Sequence, residues 1–280
     1  MRFVKLLQRL GWTHMFNDNF FNAYIKYAPL PLAVERTQEC LLISRQKLEH
    51  PILDLGCGDG IFARILFKTK IDVGIDPNLN ELKRAENTGK YSELINCYGD
   101  KIPKPDKSFK TIFSNSVMEH ISDIKPVLKE AHRLLDDNGK LYLTLPTHLF
   151  DKYTFGYQIL KALKLKKPMD WFSLLFNNFW CHYHFYTSEE WRNLFSEAGF
   201  TVDFEQEYGT KKICMFNDLM AVFSLPSLFA RKILNRWFWF DSWRQKYAKL
   251  MSFLVPIHFR RIETEPGKGG LIFFVLTKHA

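Results

Sequence analysis

The densest chemistry in the chain is Asp54-Leu55-Gly56-Cys57-Gly58-Asp59-Gly60, three glycines at alternate positions among acids. Ahead of it, Ile52, Leu53 and Leu55 read as a short buried strand; behind it, Ile61, Phe62, Ile65 and Leu66 fall at helical spacing. Strand, glycine turn and helix open a nucleotide-binding α/β unit, in which bare main chain comes close to a ligand. A carboxylate at the strand's end would repel a phosphate. Asp54 therefore points away from ATP and dinucleotides, toward a nucleoside that carries an ammonium or another cationic centre.

This stretch resembles the first motif of class I S-adenosylmethionine-dependent methyltransferases, in the broad group that contains ubiquinone and menaquinone biosynthesis enzymes. Val73-Gly74-Ile75-Asp76 is similar to the second strand of that family, and Tyr98-Gly99-Asp100 with Ile102-Pro103 to the segment beside the adenine. Ile112-Phe113-Ser114-Asn115 with Met118-Glu119-His120 resembles the fourth strand and its turn. Glu130-Ala131-His132-Arg133-Leu134-Leu135, through Gly139 to Pro146, resembles the next helix and fifth strand. The likeness runs in order over residues 51–146. It departs at Asp137-Asn138-Gly139-Lys140, which replaces a proline and paired glycines, and at Lys110, where an aspartate is usual.

The resemblance implies a Rossmann-like α/β fold: seven strands, mostly parallel with the last antiparallel, and helices on both faces. It implies S-adenosyl-L-methionine as cofactor. Backbone at Gly56, Cys57 and Gly58 would approach its methionine half, and Asp54 would face its ammonium. Asp76 would accept from both ribose hydroxyls and Asp100 from the adenine amino group, with Ile102 against the ring. Ser114 and Asn115 would sit below the sulfonium, with Tyr27 and Arg36 as further candidates at the methionine end. Some quinone O-methyltransferases of this class hold a divalent metal with acids and a histidine after the fourth strand. Ser116 stands where one of those acids is expected, so no metal is predicted.

The elements that position these residues alternate as in parallel-sheet proteins. Strands are expected at 51–56, 71–76, 93–98, 109–115 and 140–145, with helices near 60–68, 79–87 and 123–136, the last stopped by Gly139. Thr187-Ser188-Glu189-Glu190 is a capping box before Trp191, Leu194, Phe195 and Ala198. Strands 201–207 and 270–277 complete seven. Residues 1–50 read as a helical N-terminal cap, whose first twelve make a basic amphipathic helix. Residues 51–280 form the cofactor domain, with insertions at 147–186 and 209–268 that cap the acceptor side. Insertions so long are usually functional, and these hold five of the seven tryptophans.

Transfer from a sulfonium is an in-line displacement that needs chiefly alignment and exclusion of water. A hydroxyl acceptor would also need a base. In Trp180-Cys181-His182-Tyr183-His184-Phe185-Tyr186, alternation puts His182, His184 and Tyr186 on one face, which makes His184 or His182 the candidate general base.

The net charge is +9, and residues 209–268 carry eleven basic against four acidic residues. Phe238, Phe240, Leu250, Phe253, Leu254 and Val255 lie beside Arg231, Lys232, Arg236, Arg244, Lys246 and Lys249, a pattern of interfacial helices on an anionic bilayer. Five scattered cysteines without metal-ligand spacing, and no apolar stretch of secretory type, suit a reducing cytoplasm and the inner face of a membrane. The leading expectation is methylation of oxygen or carbon on a small-molecule or lipid-like acceptor. A nucleic-acid methyltransferase and a non-catalytic S-adenosylmethionine-binding scaffold stand as alternatives. Against the first, Asn115-Ser116-Val117-Met118 replaces the Asn/Asp-Pro-Pro-aromatic motif of base-amino methylation.

Overall fold

The computed structural model describes residues 15–234 and 236–278. Seven strands form one sheet: β1 (Ile52–Leu55), β2 (Ile71–Ile75), β3 (Tyr91–Ile95), β4 (Phe109–Asn115), β5 (Leu135–Pro146), β6 (Phe200–Tyr208) and β7 (Leu271–Lys278). Their order is β3-β2-β1-β4-β5-β7-β6. The first five run parallel, and β7 inserts antiparallel between β5 and β6. Continuous burial of β1 and near-continuous burial of β7 explain why both read as unbroken apolar runs. The chain reverses its progress across the sheet between β1 and β4, where the carboxyl ends of parallel strands leave a crevice. The glycine bend after β1 and the turn after β4 face each other across it.

Helices cover both faces: α1 (Phe20–Tyr24), α2 (Leu30–Ile43), α3 (Ile61–Leu66), α4 (Leu79–Glu86) and α5 (Lys125–Leu134) accompany the first half. The first insertion is a hairpin of α6 (Phe155–Ala162) and α7 (Lys166–Trp180), followed by α8 (Ser188–Glu197) with the expected capping box between Thr187 and Glu190. The second insertion is α9 (Lys211–Phe223), α10 (Leu225–Leu234) and α11 (Asp241–Leu254). The predicted helix over residues 1–12 lies outside the described residues.

Two boundaries differ from expectation. The third strand starts at Tyr91, because Ile71 of β2 pairs with it. Helix α5 ends at Leu134, and Leu135 enters β5 directly, opposite Phe109. The register then shifts, so that Lys140 lies opposite Thr111. Gly139 therefore belongs to a strand irregularity and stops no helix; a Cβ there would lie 2.8 Å from the Leu135 side chain.

Trp191 anchors α8 to the end of β5. Its ring is fully buried, stacks on Phe195 at 5.8 Å between centroids, and donates its Nε1–H to the Pro146 carbonyl at 3.2 Å. We expect Trp191→Ala to lower stability by about 3–5 kcal/mol in urea unfolding.

Candidate functional site

The glycine bend has an unusual inventory of main-chain groups for a nucleotide site. The N–H groups of Gly56 and Cys57 donate to the Ile75 carbonyl at 3.0 and 2.8 Å, and that of Gly60 to the Cys57 carbonyl at 3.0 Å. The Gly58 N–H donates to the Asp76 carboxylate at 3.0 Å. With these donors turned inward, the bend offers a ligand acceptors and carboxylates, which suits a cation and disfavours phosphate. Gly56 and Gly58 have φ of 82° and 52°, in the left-handed region. A Cβ on Gly56 would meet Val117 at 2.6 Å, whereas one on Gly58 meets nothing within 4 Å. Main chain at Gly58 thus borders open space.

Two acids frame the bend. Asp54 is buried and accepts from the Tyr91 hydroxyl at 2.7 Å. Tyr91 reaches it because Gly74, beneath its ring, has no Cβ; one would lie 2.6 Å from the ring. Burial pushes Asp54 up to about 7, partly offset by the Tyr91 hydrogen bond. Asp76 is half-buried, its two oxygens accepting from the Gly58 and Asn78 N–H groups at 3.0 and 2.8 Å, and burial raises it as well. Asp100 lies exposed, beyond β3. The Ile102 N–H donates to Glu130 at 2.7 Å, and its side chain packs in the core with Val127 and Leu128.

The turn after β4 forms a common wall between the bend and a cavity. Ser114 donates to the Leu55 carbonyl at 2.8 Å and so ties β4 to β1. Asn115 donates to Glu39 at 2.9 Å and accepts from Thr144 at 3.0 Å. Both side chains are thereby committed to holding the wall. Val117 presses on Gly56, while its neighbour Ser116, at φ 51°, faces the cavity. Glu39, which no sequence pattern singled out, is fully buried. It also accepts from Arg36 at 2.6 Å, Ser116 at 3.2 Å and Tyr208 at 3.1 Å. The Tyr27 ring lies against the guanidinium groups of Arg64 and Arg244, 5.0 and 5.3 Å from its centroid.

The cavity, of about 290 Å³, is walled by α2, the β4 turn, α7, α9 and α10. Its surface is mostly apolar, with Glu35, Arg36, Glu119, His120 and His182 as the charged or titratable groups nearest the wall. Ligand atoms of Glu119, His120 and His182 lie within 4.8 Å of one another. Glu119 is buried, one of its oxygens has no partner, and burial pushes it up to about 8. His182 is pushed down to about 4 by burial and by His120, so its ring is neutral at neutral pH. His120 Nδ1 lies 3.2 Å from the Cys181 carbonyl. Together these could pass a proton or hold a divalent metal; Ser116 gave no hint that His182 from the insertion would join Glu119.

His184 does not share that face. Both its nitrogens are engaged, with the Tyr186 hydroxyl at 2.9 Å and the Ile121 carbonyl at 2.8 Å, and its ring packs against Trp191. The strict alternation fails because 181–187 is irregular chain: Cys181 takes a left-handed turn with φ 55°, and the Tyr183 N–H donates to the Glu119 carbonyl. Arg231 of α10 is another surprise. It binds Glu81 at 2.9 Å and Asp59 of the glycine bend at 3.2 Å, which fastens the second insertion beside the cofactor side.

Two outcomes are expected. Gly58→Ala should fold but lose the S-adenosylmethionine-induced rise in melting temperature, since its methyl group would occupy the ligand's space. Gly56→Ala should lose both ligand binding and stability, through Val117. Separately, the raised folded-state Asp54 binds a proton that the unfolded chain has lost, so its contribution to stability declines as pH rises from about 4 to about 7. Unfolding across that range should show the decline, and Asp54→Asn should flatten it.

A family model described as "Methyltransferase domain" matches residues 24–204, more than half of the chain. A ubiquinone biosynthesis O-methyltransferase of Pelagibacter ubique is 29% identical over 109 residues, 38% of this chain and 45% of that one. A malonyl-acyl-carrier-protein O-methyltransferase 1 of Ilyobacter polytropus is 31% identical over 134 residues, 45% of this chain and 49% of that one. The chain spans between 35% and 65% of the length of the first such relatives. In structure it is similar to an S-adenosylmethionine-dependent methyltransferase from Thermotoga maritima, described as a possible histamine N-methyltransferase. The TM-score is 0.52 at 19% identity, covering 99% of this chain and 96% of that one. It is also similar to the cyclase SpnF, with TM-score 0.53 at 13% identity over 95% of this chain and 87% of that one; both likenesses speak for the fold alone. Sheet order and family match converge: the chain belongs to the methyltransferase-domain family.

Proposed function

We propose that the enzyme methylates an oxygen or carbon atom of an amphiphilic small molecule held in the apolar cavity, with the two insertions as its acceptor-side cap. The observation that carries this is the common wall: Val117 touches the glycine bend while Ser116, Glu119 and His120 line the cavity. Bound S-adenosylmethionine supplies a methyl group on a cationic sulfur, activated for displacement. Asp54, Asp76 and the carbonyls of the bend would hold and orient that cofactor. The wall keeps the acceptor's distance fixed, and the apolar lining keeps water from the cation.

His182 is suited to receive a proton from an acceptor hydroxyl, because burial keeps its ring unprotonated at neutral pH. Glu119, pushed the other way, stays largely protonated and can donate to an acceptor oxygen. A nucleic-acid acceptor loses part of its motive, since Arg231 is paired with Glu81 and Asp59 and Arg244 stacks on Tyr27. The cavity's apolar walls favour a greasy acceptor over a base. A cytoplasmic enzyme seated peripherally on the inner face of the membrane would meet such an acceptor.

Metabolite and lipid extracts from cells with the wild type and Asp76→Ala should differ by a species one methylene heavier in the wild type alone. With that acceptor, His182→Gln should lower kcat about 100-fold, while His184→Gln should change melting temperature more than kcat. Equal kcat in His182→Gln and wild type would remove His182 as base.

A further inference from the structure

Helix α7 is built inside out. Of its fifteen residues only Asn177 is buried. Trp171, Leu174, Leu175 and Phe179, at helical spacing along one stripe, are 64%, 58%, 45% and 71% exposed. An amphipathic helix of a soluble domain turns such a stripe inward, and a patch of this size marks an interaction surface. The knee between α9 and α10 repeats the arrangement. Ala221, Ser224 and Leu228 line the cavity, while Val222, Phe223, Leu225 and Phe229 point outward and are exposed. No single described helix is long and apolar enough to cross a membrane; α9 and α10 reach that length and composition only together, bent by 63°. Helix α6 packs against both α7 and α9, so the two apolar edges flank one hairpin.

The charge beside them is positive. Lys161, Lys164, Lys166 and Lys167 are all exposed at the α6–α7 turn, and Asp170 is the single acid between residues 155 and 180. None of the four lysines meets a carboxylate among the described residues.

We propose that the outer stripe of α7 and the α9–α10 knee insert shallowly into an anionic lipid bilayer, with the α6–α7 lysines on its headgroups, and that the cavity receives its acceptor from that bilayer. Trp180 belongs to both surfaces: it lines the cavity and is 40% exposed at the edge of the apolar stripe. Charge complementarity favours the bilayer, since a second copy would bring the same lysines against each other. Apolar area and basic flank together give interfacial helices both forces they need. Its residues differ from those of the interfacial pattern named at 231–255, of which Arg231 and Arg244 are engaged internally and Val255 is buried. The cargo part of this inference rests on the proposed lipid-like acceptor; the docking part does not.

The test is flotation of the purified full chain with vesicles of phosphatidylcholine, alone or mixed with phosphatidylglycerol, at low and high salt. The wild type should float with the mixed vesicles, less so at high salt. Trp171→Ser with Phe179→Ser, and separately Phe223→Ser, should cut vesicle affinity about tenfold or more. The fourfold Lys→Gln variant of the α6–α7 turn should lose the salt-sensitive part. All should keep the wild-type melting shift with S-adenosylmethionine, which reports the methyltransferase site independently and shows that each variant is folded. Wild type that stays unbound with both vesicle types overturns the proposal, as do variants that float like wild type. A stable dimer without lipid that Phe179→Ser turns into monomer would assign the face to a second copy and equally overturn it.

Discussion

One fully buried carboxylate organises the meeting point of the two halves of the enzyme. Glu39 of α2 draws in donors from Arg36 on its own helix, Asn115 and Ser116 at the end of β4, and Tyr208 at the end of β6. Burying a carboxylate is costly unless its lone pairs are filled, and removing one partner of a buried ion pair typically costs about 3–5 kcal/mol. Four donors from three elements meet that demand only in one arrangement. The polar cluster therefore specifies where the N-terminal helix sits on the sheet, a choice apolar packing alone leaves looser.

The same cluster fixes the wall between the glycine bend and the cavity. Ser116 holds a left-handed backbone that ordinarily costs a serine about 1–3 kcal/mol. Its hydroxyl bonds to Arg36 and Glu39, and its N–H donates to the Thr144 hydroxyl at 3.0 Å. The twist aims Val117 at the glycine bend and Ser116 at the cavity. Gly56 has to be glycine because of what stands opposite it, as well as for its own φ. Glycine bend, wall and cavity are thus tied into one bonded unit, which is what the proposed in-line transfer requires.

Much of this was legible because it is local. Strand β1, the glycine bend and α3 follow from ten consecutive residues, and the succession of strands and helices along the chain follows from periodicity plus turn residues, while the antiparallel place of the last strand is what the family resemblance implies. Residues brought together from afar were not legible. Glu39 looks like any helical glutamate until Tyr208, distant in sequence, is placed over it. Tyr91 gave no sign that Gly74 would let it reach Asp54. The histidines misled for a different reason. Alternation assumes a strand, and the left-handed turn at Cys181 breaks it, sending His182 to the cavity and His184 to Trp191. Ile102 was assigned by position in a motif, which left its backbone contact with Glu130 unseen. Arg231 was read as surface charge because its partners, Asp59 and Glu81, belong to the other end of the chain.

That last contact bears on how the second insertion is held. The second insertion has two attachments of different kinds. Near its start Ile213 and Cys214 are buried as α9 packs on α2. Each fully buried apolar side chain contributes about 1.5–3 kcal/mol. Near the glycine bend the attachment is Arg231 on Glu81 and Asp59, a polar contact with side chains about a fifth exposed. Hydrogen bonds to charged groups are worth about 1.5–3 kcal/mol net, and water competes for them when they are reachable. Burial also pushes Asp59 upward, against the pull of Arg231. The insertion is therefore held by apolar burial where it walls the cavity and by a part-exposed polar contact where it borders the glycine bend.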